Sequence, residues 1–313
     1  SAALANVTST ATGYVGVLGA GSYSNMAWTN VTASAATANI ASKTASSYVG
    51  VLGAGTNSAM NWTNVTIFAS ADITSTATNF VGVLGAGTGG DLIWSNVTVA
   101  ASLANVTSTA TGNTVGVLGA GTTSGMTWTD VTVSATLANV TSNARFYVGV
   151  LGAGGYSNMT LTNVAVSATL ANVTSTATGY VGVLGAASCS NMTWTNVTVS
   201  AATASVTSTA DGYVGVLGAG SNTGTVTWTN VAVSTSSANV TSTAAGHGVG
   251  VLGAGSNNSV SWKNVTVAAG VANVASTAAG HGVGVLGAGS SSAVSWTNVT
   301  VSAAVANVTS TAG

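Results

Sequence analysis

Apolar and polar residues alternate through most of this chain, and the alternation changes phase at regular places. In "MTWTDVTVSA", Met126 and Trp128 fall on one parity and Val131 and Val133 on the other. A period of two marks a strand with one side turned inward. A strand cannot carry its apolar side chains to the opposite face without bending, so a turn is expected near Thr129 and Asp130. "SLANVTSTA" changes phase in the same way between Leu103 and Val106, which puts a second turn at Ala104 and Asn105. Around them, three stretches of each unit favour extended backbone, as in "YVGVLGAG", "MTLTNVAVSA" and "LANVTSTAT" between Tyr147 and Gly179. Val and Thr are β-formers, and Gly and Ser punctuate. A variable loop such as "GTTSG" or "GSNNS" is expected after the glycine phrase.

The pattern repeats. Gly-Val-Leu-Gly-Ala begins at Gly16, Gly50, Gly82, Gly116, Gly149, Gly182, Gly215, Gly250 and Gly284, in steps of 34, 32, 34, 33, 33, 33, 35 and 34. A fixed period of this length means stacked copies of one unit. The fold expected is all-β: a single parallel β-solenoid, right-handed by preference, of about nine coils of ~33 residues. It covers residues 1–313 as one continuous array, read as a segment of a longer chain or filament. Val, Leu and Ala, with Trp or Met, are the expected interior.

Aligned copies place one set of corners at Asn30, Asn64, Asn96, Asp130, Asn163, Asn196, Asn230, Asn264 and Asn298. A second set is Asn6, Asn39, Asp72, Asn105, Asn139, Asn172, Ser205, Asn239, Asn273 and Asn307. Asn tolerates turn backbone, and its amide both donates and accepts. One coil apart, at ~4.8 Å, such amides are expected to bond to one another along the axis.

Composition narrows the functions. Charged residues are 2% of the chain and the net charge is −1, against about 25% charged in an ordinary soluble domain. That removes the electrostatic case for nucleic acid or an anionic membrane surface. Thr, Ser, Asn and Gly break every apolar run, so no membrane-inserting helix is expected. A lone cysteine, Cys189, gives no disulfide framework.

"YVGVLGAGSYSNMAWTNVTASA", from Tyr14 to Ala35, resembles the GLUG-type glycine-rich repeats of secreted bacterial β-helix adhesins. Those share a "YVGGLVG" phrase, a turn, an "I-x-N" strand and a "V-T-G" ending. Similar Val-Thr-Ala-Gly repeats occur in large surface proteins of flagellated protists. The chain departs from the pattern in Leu18-Gly19-Ala20 and in the recurring Trp at the Trp28 position. The resemblance implies structural work outside the cell or at its surface, and it carries no catalytic residues.

Candidate sites are few. Trp28, Trp62, Trp94, Trp128, Trp194, Trp228, Trp262 and Trp296 recur once per unit, with Leu161 in the fifth. They form either a strip that stacks on sugars or an internal stack. The exchange for Leu161 and the nearby methionines favour the interior. Of sixteen Asn-x-Ser/Thr triplets, most sit on corners. Asn61, Asn158, Asn191 and Asn257 lie off them and are the candidate N-glycosylation acceptors. Thr107, Thr109 and Thr111 point away from Val106, and their copies make an outer threonine array of the kind that binds ice, interrupted at Lys43, Asn143, Arg145 and Asp211. His247 and His281 align in neighbouring units without a recurring carboxylate or thiolate. Neither a metal, a cofactor nor an enzyme activity is expected. Gly16 and its eight copies, between inward valines, are expected to form a bare outer groove for lateral contact with a neighbouring rod.

The function expected is that of an extracellular or cell-surface structural repeat protein. Its main partner is itself, end to end and side by side, in a filament, sheath or stalk, with glycans as further partners. The alternatives are a carbohydrate-binding adhesin shaft and, behind it, an ice-binding solenoid.

Overall fold

The computed structural model describes residues 7–11, 15–17, 20–35, 39–44, 48–52, 54–222, 224–245, 249–279 and 283–312. They form a β-solenoid with no helix among them. One coil consists of the strands Asn105–Ala110, Thr114–Gly116 and Ala120–Thr136. Each strand pairs in parallel with its own copy one coil on, so three sheets run the length of the rod. Register holds residue on residue: Val106 faces Val140, Gly116 faces Gly149, and Trp128 faces Trp94 and Leu161.

The first set of corners lies where the change of parity puts it. Asn30, Asn64, Asn96, Asp130, Asn163, Asn196, Asn230, Asn264 and Asn298 all have left-handed backbone, with φ between 53 and 56°. Asn and Asp accept that conformation more readily than other residues with a side chain. The bend swings the inner face of the long strand from Met126 and Trp128 to Val131 and Val133, all of them buried.

The second corner differs from expectation. Its left-handed residue is two places earlier, at Leu103, Leu137, Leu170 and Thr203, with φ of 52–62°, and less markedly at Ser237. Leu103, Leu137 and Leu170 therefore stand exposed, and the alanine after each is buried. Asn105, Asn139, Asn172, Asn239, Asn273 and Asn307 open the next strand instead of making the turn. The segments expected as variable loops are also strand: "GTTSG" lies inside Ala120–Thr136, and only Thr223, in the copy split into Ala219–Asn222 and Thr225–Thr235, falls outside the described residues.

The glycine phrase is an arch rather than a straight strand. Val117 and Leu118 are consecutive and both fully buried, which one strand face cannot achieve. The chain bends between the short strand and the long one. Gly50, Gly82, Gly116, Gly149, Gly182, Gly215, Gly250 and Gly284 are buried in that bend, and only Gly16 is exposed. A Cβ on Gly149 would lie 1.8 Å from the carbonyl oxygen of Ala120 in the preceding coil, and one on Gly250 1.7 Å from that of Ala219. These glycines are not a lateral groove. The close backbone approach that excludes a side chain is made inside the chain, coil against coil.

Candidate functional site: ladders along the rod

The strict register turns each position into a column, and the columns are the features with chemistry. On the outside, the corner amides bond in sequence. Asn64 Nδ2 donates to Asn30 Oδ1 at 3.0 Å, and Asn96 Nδ2 to Asn64 Oδ1 at 2.8 Å. The series resumes with Asn163 donating to Asp130 at 2.9 Å and continues through Asn196, Asn230, Asn264 and Asn298 at 2.9–3.2 Å. A carboxylate has no N–H to give, so Asp130 accepts from Asn163 and has no corresponding bond to offer Asn96. The second column carries the rungs Asn139 to Asn105, Asn172 to Asn139, Asn273 to Asn239 and Asn307 to Asn273, at 2.9–3.1 Å. Ser205 interrupts it. Asp72 continues the column differently, its Oδ1 accepting the backbone N–H of Asn105 at 2.8 Å.

These columns give a stability prediction. Asn196→Ala puts a Cβ-bearing residue without a polar side chain at φ 54° and removes two exposed rungs. The expected cost is about 1–3 kcal/mol. Lys263→Ala, beside the equivalent corner and exposed, is expected to cost less than about 0.5 kcal/mol. Asn196→Gly should recover the backbone share, because glycine accepts positive φ. Equal melting temperatures for the Asn196→Ala and Lys263→Ala chains would contradict the structural role of the corner.

Of the four off-corner acceptors, Asn61 is exposed. Asn158 and Asn191 form a ladder of their own that the sequence did not suggest. Asn191 Nδ2 donates to Asn158 Oδ1 at 3.1 Å, and Asn191 Oδ1 accepts the Thr225 N–H at 3.1 Å. The Asn257 side chain, His247 and His281 lie outside the described residues, as does the side chain of Cys189. No group of three His, Cys, Asp or Glu able to hold a metal occurs among the described residues.

The tryptophans are an internal stack. Trp62, Trp94, Trp128, Trp194, Trp228 and Trp262 are fully buried. Neighbouring rings lie 4.7–5.1 Å apart and within 5° of parallel from Trp28 to Trp128 and from Trp194 to Trp296. Leu161 fills the slot between the two runs. Rings stacked on one another inside the coil are not available to a sugar.

A second aromatic column, at the residue before the buried valine of the glycine phrase, went unread in the sequence. Tyr48 stacks on Phe80 at 5.1 Å, and Tyr147, Tyr180 and Tyr213 stack at 5.0 and 5.2 Å. All five are half-buried or close to it. Burial raises the Tyr180 phenol above its ordinary pKa, and the flanking Tyr147 and Tyr213 add to the shift. The only signal was the recurrence of an aromatic at that position.

The sheet from Val7–Ala11 to Asn307–Ala312 sends Thr107, Thr109 and their copies outward, as expected, while Thr44 at the end of its strand is buried. Two ranks two residues apart run across ten strands, one through Thr107 and one through Thr109, and sixteen of the twenty positions are Thr. The exceptions are Ala41, Lys43, Asn143 and Ala275. Other outward columns are less uniform: the one through Thr127 also holds Ala27, Asn61, Ile93 and Ser261.

No protein-family model matches the chain, and neither a curated protein nor a solved structure matches it.

Proposed function

We propose that this chain is a non-catalytic structural repeat protein of the extracellular space or cell surface, forming a filament, sheath or stalk by packing with copies of itself. One observation carries the reading. Each described coil stacks on the next in parallel, residue on residue, through three continuous sheets, so the contacts that join coils within the chain can equally join coils of two copies. The exposed corner column of Leu103, Leu137 and Leu170 supports side-by-side contact, and the near absence of charge offers no repulsion against it. The extracellular setting rests on the resemblance to secreted repeats.

Light scattering of the purified chain is expected to show particles that lengthen with concentration, with rods or fibres in negative stain. A particle of constant single-chain mass across the range overturns assembly. The threonine ranks favour a second reading, an ice-binding face. Uptake of the chain into a slowly growing ice front tests it, and exclusion from the ice ends it.

A further inference from the structure

Between the outward threonines, every strand of the threonine sheet has a serine: Ser9, Ser42, Ser75, Ser108, Ser142, Ser175, Ser208, Ser242, Ser276 and Ser310. These residues pair strand to strand in one unbroken column. The eight from Ser42 to Ser276 point inward and are at most 3% exposed. None of their eight hydroxyls has a hydrogen-bond partner in the protein. A buried hydroxyl without a partner is destabilising, and alanine would fill nearly the same space without that penalty. Alanine is what the chain uses two residues later after seven of these eight serines, at the buried Ala77, Ala110, Ala144, Ala177, Ala210, Ala244 and Ala278; Thr44, after Ser42, is the exception. Yet the serine position shows no exchange at all in ten strands, while the threonine ranks beside it tolerate four. Eight buried uses of the costlier residue call for a partner that only the hydroxyl can hold.

The spacing identifies that partner. Equivalent atoms of neighbouring coils are ~4.8 Å apart. That is too far for one hydroxyl to bond the next, but an oxygen set between two of them reaches both at ~2.8 Å. Water has that size and both hydrogen-bonding senses. The alanine column alongside leaves the inner surface of this strand low at the next inward position. We infer that the solenoid binds a file of water molecules inside, one between each successive pair of serine hydroxyls from Ser42 to Ser276. Eight hydroxyls leave seven intervals. The file is an unbroken line of O–H hydrogen bonds parallel to the axis and closed off from bulk solvent by the sheet. The inference does not depend on whether the chain assembles.

Oxygen-17 magnetic relaxation dispersion counts internal waters by their long residence times. The intact chain is expected to show an amplitude equivalent to the seven intervals, and the triple variant Ser142→Ala, Ser175→Ala, Ser208→Ala to lose the share of the four intervals those residues bound. Calorimetry supplies the opposing signs: Ser175→Ala melts lower if its hydroxyl holds water and higher if the hydroxyl is an unpartnered burden. An intact chain without long-lived internal water, an unchanged amplitude in the triple variant, or a higher melting temperature for Ser175→Ala each overturns the inference. The amplitude of the intact chain decides the matter even if the triple variant does not fold.

Discussion

Gly250→Ala is expected to destabilise the chain by on the order of 3 kcal/mol or more, at the upper end of what overpacking does. The added Cβ would sit 1.7 Å from the carbonyl oxygen of Ala219 and 2.9 Å from that of Gly253. Both are backbone atoms: the Gly253 oxygen accepts the Ala219 N–H at 2.9 Å, and Gly250 itself is tied to the preceding coil by the Val216 N–H on its own carbonyl at 2.9 Å. No side chain can swing away to make room. Gly270→Ala is the matched control, because its Cβ would meet nothing nearer than the Thr235 oxygen at 3.1 Å. Urea titration of the two variants separates them. Equal midpoints would mean that the arch yields and that the recurrence of the phrase needs another explanation. A lateral groove would behave differently, since its loss would reduce bundling and leave the melting temperature in place.

Trp228→Ala should cost about 3–5 kcal/mol, the range for emptying a large buried aromatic site. The indole is fully buried and lies between Trp194 at 4.9 Å and Trp262 at 4.8 Å, so two stacking contacts go with it. Trp228→Leu should cost roughly half as much, since leucine refills part of the volume. The chain contains the precedent at Leu161, buried in the same slot between Trp128 and Trp194. Chemical denaturation measures both losses. Near-UV circular dichroism provides an independent check, because parallel indoles this close couple their transitions and the variant interrupts the second run. A small and equal cost for the two variants would show that the stack is incidental to the core.

Parity within one strand made the first bend and the interior stack legible in advance. The shift from Trp128 to Val131 marked the bend at Asp130, and the exchange of Trp for Leu161 marked the stack as interior. What could not be read depends on contacts between coils. "VGVLGAG" alternates well enough to pass for a straight strand with outward glycines. Its bend is imposed by the Ala120 carbonyl lying against Gly149, a neighbour 29 positions back in the chain. The second bend was misplaced for a different reason. Leucine is ordinarily a core residue with right-handed or extended backbone, so nothing marked Leu103 as the left-handed, exposed apex. The asparagine two places on, which has the usual turn character, starts a strand instead.

The corner amides also give the rod a direction. In every side-chain rung described, the later coil donates and the earlier one accepts. A stretch of coils therefore offers N–H groups at one extremity and bare oxygens at the other. Two like extremities brought together would set donor against donor or acceptor against acceptor, and the columns would not continue across the junction. Only unlike extremities extend them. Contacts of that kind are heterologous and cannot form a two-fold pair, which would join like extremities. Any growth by stacking is then vectorial: each added unit points the same way as the last, and one tip of the fibre remains chemically distinct from the other.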